Sequence, residues 1–212
     1  TSTYLGEPLV EAARLEAGSV RERERVALHD EKFKGIADSK DYKKAIIITT
    51  ASADKENSQY SRLALSQLKS IGLNPVDFYD FENNGFKDIS DYDIIYVCGG
   101  NTFKLMKFAK AMDFAKEIKS LLKRGGAYIG VSAGSLIVGP SIKIANEVHP
   151  DPNEVGLIDF TGFNIVDIVI FPHYSSELEE EIKAFENKNN VQVERLNNSQ
   201  AILLEGDKKT LV

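Results

Sequence analysis

From Lys44 onward the chain alternates short, mostly apolar runs with longer stretches whose apolar residues recur three and four positions apart. The runs are Ala45-Ile46-Ile47-Ile48-Thr49-Thr50, Pro75 to Asp80, Asp93-Ile94-Ile95-Tyr96-Val97-Cys98, Ala127-Tyr128-Ile129 and Ile165-Val166-Asp167-Ile168-Val169-Ile170-Phe171. Runs that stay apolar rather than alternating are what strands covered on both faces of a parallel sheet require. Between them, Tyr60, Leu63, Ala64, Leu65, Leu68 and Ile71 predict a helix that Gly72 closes. Asn83-Asn84-Gly85 marks a turn before a short element around Phe86 to Ile89. Phe103, Leu105, Met106 and Phe108 predict a second helix, and Phe114, Ile118, Leu121 and Leu122 a third, ending at Gly125-Gly126. A short helix should follow residue 132 and stop at Gly139-Pro140. Residues 141–164 read as an irregular connection. The last helix is expected after Ser175 or Ser176 as cap, with Glu177, Glu179, Glu180 and Glu181 matching its dipole. Val191 to Leu196 and Ala201 to Glu205 predict two closing strands joined as a hairpin at Asn197-Asn198-Ser199. Strands alternating with helices imply an α/β fold in three layers, a mostly parallel sheet with helices on both faces and right-handed crossovers.

The pattern is weaker ahead of that. Residues 1–44 include Arg21-Glu22-Arg23-Glu24-Arg25, which on a helix puts charge all round. We read 1–44 as a charged amino-terminal arm or surface helix and 45–212 as a single α/β domain, which suits a chain of 212 residues. The formal net charge of -6 leaves no basic excess for nucleic acid. No apolar run approaches the roughly 18–20 residues of a membrane span, and no secretory pattern is read at the start. The one cysteine, Cys98, excludes an intramolecular disulfide framework. A cytoplasmic protein, monomer or homodimer, is expected.

The chemistry concentrates at strand ends. Gly130-Val131-Ser132-Ala133-Gly134 is a G-x-S-x-G turn from strand to helix, the arrangement that lifts a serine oxygen above the edge of a parallel sheet. Ligands bind beyond the carboxyl ends of such strands. Gly99-Gly100-Asn101-Thr102 and Pro172-His173-Tyr174 fall at the ends of two others. A serine hydroxyl needs a base, and histidine suits that task. Of the three histidines, His29 lies in the charged arm and His149 in a Pro-rich loop, so His173 is the candidate base. The acid that would orient it is first sought at Glu147, on the connection between Ser132 and His173, with Asp159, Asp167 and Glu205 open. The N–H groups of Ala133 and Gly100 are the candidate oxyanion donors, and Gly99 and Asn101 beside them are the candidate substrate contacts. Asn101 or Thr102 can also cap the helix that follows. Cys98 reads as a buried structural cysteine. Glu147, His149, Asp151 and Glu154 fit a solvated acidic loop better than a metal site, and neither metal nor cofactor is expected.

Gly99-Gly100-Asn101-Thr102-Phe103 with Leu105, Gly130-Val131-Ser132-Ala133-Gly134-Ser135 and Pro172-His173-Tyr174, in this order, resemble the serine dipeptidase family of aspartyl dipeptidase (dipeptidase E), with the cyanophycinases as relatives. The resemblance covers roughly residues 45–205. It implies a class I glutamine amidotransferase-like fold, a serine peptidase without cofactor, and cleavage of short peptides after an amino-terminal aspartate. It matches Ser132 to the nucleophile, His173 to the base, the Gly99-Gly100 turn to the oxyanion loop, and places Glu147 where an acidic member is expected. A pocket that reads aspartate calls for a guanidinium, and Arg195, the only arginine after the nucleophile, is the candidate beside Lys143 and Lys183. Other readings in view are a catalytically idle relative that binds an amino-acid-like ligand or protein partner, and a serine hydrolase of another amide.

Overall fold

A computed structural model describes residues 42–85, 87–206 and 208–211. The charged arm expected over 1–44 and His29 within it therefore lie almost wholly outside the described residues. Four strands form a parallel sheet in the order β2-β1-β3-β4, with β1 at Ala45–Ile48, β2 at Val76–Tyr79, β3 at Ile94–Val97 and β4 at Ala127–Gly130. The register runs Ile48 to Val97 and Val97 to Gly130, so the strands end level and their exit loops share one edge.

Both faces of the sheet are covered, which is why β1, β3 and β4 are buried along their whole length, whereas the edge strand β2 carries the partly buried Asp77. Ile46, Ile48, Ile95, Val97 and Tyr128 face one core with Phe103, Leu105 and Met106 of α2 (Thr102–Ala111) and Ile118, Leu121 and Leu122 of α3 (Phe114–Lys123). Ala45, Ile47, Ile94, Tyr96 and Ile129 face the other, with Ala64 and Leu68 of α1 (Gln59–Ser70). Successive residues point to opposite faces, so each strand feeds both cores. The expected layered α/β architecture is what the protein has. No helix among the described residues is long and apolar enough to cross a membrane.

Beyond β4 come the short helices α4 (Ala133–Leu136) and α5 (Ile144–Glu147), strand β5 (Val169–Phe171), a 3₁₀ turn at Ser176–Leu178, helix α6 (Glu179–Asn189) and strands β6 (Val193–Arg195), β7 (Ile202–Glu205) and β8 (Lys208–Leu211). Four expectations are corrected here. The run from Ile165 does not pair as a strand until Val169, because the amides of Phe163, Asn164, Ile165 and Val166 bond to carbonyls of Ile137, Gly139 and Val138 instead. Strands β6 and β7 are not a hairpin: β6 pairs parallel with β5, and β7 pairs antiparallel with β8. Neither serine caps α6, which starts after Leu178; Ser175 instead precedes the 3₁₀ turn, and its side chain makes no capping bond there. Residues 87–89 form no regular element, although Ile89 is buried.

Helix α6 is fastened to β6 by Arg195. Its guanidinium donates to Glu186 through Nη1 and Nη2, both at 2.9 Å, and to Glu179 through Nε at 2.8 Å. The guanidinium lowers both carboxyl pKa values. Carboxylates depressed in this way contribute stability above their unfolded pKa of about 4.3 and lose it as pH falls through the folded value. Because the cluster is partly solvated, Arg195→Ala should lower unfolding free energy by only about 1 kcal/mol at neutral pH. Urea titration should show that gap closing near pH ~3; an undiminished gap there would remove the ion pairs as its cause.

Candidate active site

The strand-to-helix turn at Ser132 holds the serine at φ 49° and ψ -110°, a backbone region that side chains rarely adopt. The neighbouring glycines make this possible by close approach. A Cβ on Gly130 would lie 2.6 Å from the Gly134 carbonyl oxygen, and one on Gly134 would lie 2.5 Å from that of Val97. The fully buried Tyr128 hydroxyl donates to the Gly134 carbonyl at 2.6 Å, and Ser135 Oγ donates to the Ser132 carbonyl at 2.6 Å. With its backbone pinned at both ends, the half-buried Ser132 presents Oγ above the sheet edge.

His173 follows β5 and also sits at positive φ, 61°. Its Nε2 lies 3.1 Å from Ser132 Oγ, and its Nδ1 lies 2.9 Å from Asn198 Oδ1. Parallel pairing explains how residues 25 positions apart meet. The β5–β6 ladder continues through Leu196 N to Phe171 O and Tyr174 N to Leu196 O, so His173 and Asn198 leave adjacent strands side by side. Asn197 shapes the turn that presents Asn198, its Oδ1 accepting from both the amide and the hydroxyl of Ser199.

Asn198 thus occupies the position for which a carboxylate was sought. Glu147 is elsewhere, its Oε2 accepting from Lys188 Nζ at 2.8 Å. Asp159 pairs with Lys110 at 2.6 Å, and this bond holds its carboxyl well below the usual range. Asp167 is exposed, and Glu205 belongs to the β7–β8 ladder. In the sequence Asn198 reads only as part of a hairpin turn. The signal that could have found it is its place just after a short strand, the counterpart of His173, had an amide been admitted as a histidine acceptor.

The glycine turn after β3 adjoins the serine, for a Cβ on Gly99 would lie 3.0 Å from Ser132 Cβ and 3.6 Å from Oγ. Gly100, at φ 133°, is packed against the Ala51 carbonyl, where a Cβ would come within 2.2 Å. Ala133 opens α4, and the first amides of a helix lack partners within it. Asn101 does not line the cavity: its Oδ1 caps α2 at Lys104 N (2.8 Å) and its Nδ2 donates to the Pro152 carbonyl (2.7 Å). Asp151 Oδ2 accepts from Thr102 N at 2.9 Å and so ties the His149-Pro150-Asp151 loop to the same helix end. Between these elements lies a cavity of about 350 Å³ reached by Ser132, His173, His149, Asp151 and Glu177. Cys98 is buried beside Ser61, 3.5 Å from its Oγ. No cluster that could hold a metal ion occurs among the described residues.

The model for "Peptidase family S51" matches residues 15–212. An uncharacterized peptidase of Listeria monocytogenes is 31% identical over 171 residues, covering 77% of this chain and 83% of the relative. Peptidase E of Escherichia coli is 28% identical over 137 residues, an alignment spanning 64% of this chain and 57% of that protein. Among solved structures, a putative peptidase E protein from Listeria monocytogenes superposes with TM-score 0.68 at 28% identity, covering 85% of this chain and 94% of the other. A peptidase from an acI-B1 actinobacterium shares the fold at TM-score 0.61 and 19% identity.

The turn itself can be tested without any substrate. Gly134→Ala should lower unfolding free energy by about 1–3 kcal/mol, the usual cost of forcing a methyl into filled space. A change within about 0.5 kcal/mol in a urea titration would contradict the close contact with Val97.

Proposed function

The chain belongs to peptidase family S51, a serine peptidase family, and is a serine-type dipeptidase of the peptidase E kind; we propose that Ser132, His173 and Asn198 are the residues that carry its hydrolysis of short peptides. The observation that carries this assignment is the continuous line of hydrogen-bond contacts from Ser132 Oγ through the imidazole to Asn198 Oδ1. An Oδ1 acceptor keeps the proton on Nδ1 and leaves the Nε2 lone pair facing the hydroxyl.

Ser132 Oγ attacks the scissile carbonyl while Nε2 takes its proton. The amides of Gly100 and Ala133 receive the charge that develops on the carbonyl oxygen, the glycine turn being packed against the serine and Ala133 lying at a helix start. The protonated imidazole then gives its proton to the departing amine and leaves an ester on Ser132. Water attacks that ester, with Nε2 taking a proton from the water and returning one to Ser132 Oγ as the acid departs. Asn198 carries no charge, so it orients the imidazole and accepts from Nδ1 without the Coulomb support that a carboxylate gives an imidazolium. The idle-binder alternative is not favoured, because serine and histidine stand within bonding reach in a cavity of ligand size.

Ser132→Ala should abolish dipeptide turnover with the fold intact. Asn198→Ala should lower kcat/KM about 10- to 100-fold, the worth of one hydrogen bond to a group that becomes charged. Asn198→Asp should move the acidic limb of the kcat/KM–pH profile upward, since a carboxylate favours imidazolium. Full activity in Ser132→Ala would end the assignment, and an unmoved limb in Asn198→Asp would reduce Asn198 to a turn residue.

A further inference from the structure

Relatives of the dipeptidase E type imply a substrate that begins with aspartate, and an aspartate side chain inside a cavity needs a cation. Among the described residues, no lysine or arginine lines the cavity beside Ser132, and the imidazoles of His149 and His173 are its only groups that can carry positive charge. Its walls are the apolar Leu136, Ile144, Val148, Phe171 and Leu178, and its acidic side chains are Asp151 and Glu177.

The cations nearest in sequence are committed elsewhere. Arg195 directs all three guanidinium nitrogens to Glu179, Glu186 and the Val193 carbonyl. Lys183 pairs with Glu180 at 3.0 Å and Lys188 with Glu147 at 2.8 Å, while Lys143 is exposed and outside the lining. The three side chains from which carboxylate recognition was expected are thus engaged or absent from the cavity.

We propose, resting on the serine dipeptidase reading above, that this cavity receives an uncharged, apolar side chain on the amino-terminal residue of the peptide and turns aspartate away. A leucine or phenylalanine side chain entering it leaves water for apolar walls, which is favourable roughly in proportion to the area covered. An aspartate side chain loses hydration, finds hydroxyl and imidazole groups of Thr102, Ser175 and His149 in place of a guanidinium fork, and meets the like charges of Asp151 and Glu177. Those same carboxylates favour the peptide's amino-terminal ammonium, the one cationic group that every unblocked dipeptide carries. About 350 Å³ falls at the small end of ligand pockets, in keeping with an amino acid rather than a long peptide.

The experiment measures kcat/KM of the full chain on Leu-Leu, Phe-Leu and Asp-Leu, alongside labelling of Ser132 by a fluorophosphonate. Leu-Leu and Phe-Leu should exceed Asp-Leu by about 100-fold, within the range that pocket chemistry supplies. Glu177→Arg, an exposed position at the cavity wall, should narrow that ratio by about tenfold or more by offering the carboxylate a guanidinium. Hydrolysis of Asp-Leu equal to or faster than that of Leu-Leu, or a ratio indifferent to Glu177→Arg, overturns the pocket assignment while leaving the serine mechanism in place. Absence of both labelling and hydrolysis of every peptide overturns the mechanism itself.

Discussion

The site depends first on a backbone constraint, the left-handed conformation of Ser132. Holding a non-glycine residue there costs about 1–3 kcal/mol, and the surroundings must over-determine the turn for it to persist. They do so with backbone. Gly130 and Gly134 bring strand and helix closer than any side chain permits, and the buried Tyr128 hydroxyl holds the Gly134 carbonyl from within the core. Tyr128 is one of the largest fully buried side chains, so the turn is anchored to the hydrophobic core rather than to a surface loop. The same contacts that fix the elbow give Ser132 Oγ a defined direction before any substrate arrives, and catalytic groups need that pre-organisation.

A second constraint supplies the histidine and its partner. Strands β5 and β6 have three residues each, yet their parallel ladder is what sets His173 and Asn198 abreast. Helix α6 is the crossover between them, and Arg195 locks that helix to β6 through Glu179 and Glu186. An ion-pair cluster away from the reacting atoms therefore helps to fix the distance between imidazole and amide. The neutral amide is a real chemical difference from a carboxylate. It sets the tautomer equally well, but leaves the imidazolium with less electrostatic stabilisation.

How much of this was legible in the sequence follows from how local each signal is. The parallel strands from Ala45 to Gly130 and the elbow at Ser132 are written in contiguous residues, because burial on both faces and a sharp turn each impose a local pattern. His173 was legible because it ends an apolar run. Asn198 was not, since its task comes from the pairing of β6 with β5 rather than with β7, a choice that strand composition does not disclose. Glu147 looked suitable from its place in the chain, yet Lys188 on α6 holds its carboxylate. The run from Ile165 overstated its strand because its first residues are buried by bonding to the loop after α4, and burial without sheet pairing leaves the same apolar imprint.

The acidic residues of the 3₁₀ turn and the start of α6 link the architecture to the charge of the cavity. Glu177, Glu179, Glu180 and Glu181 read as complements to a helix dipole, and that description covers only part of what they do. Glu179 reaches Arg195, the one arginine that follows Ser132, and with Glu186 occupies its fork. Glu177 turns instead to the cavity wall. This acidic stretch thus gives Glu179 to the ion pairs that hold Arg195, and gives Glu177 to the cavity wall. Fold stability and pocket charge are therefore coupled here. A change that broke the Arg195 ion pairs would loosen the helix that carries the chain from His173 to Asn198, and with it the wall that carries Glu177.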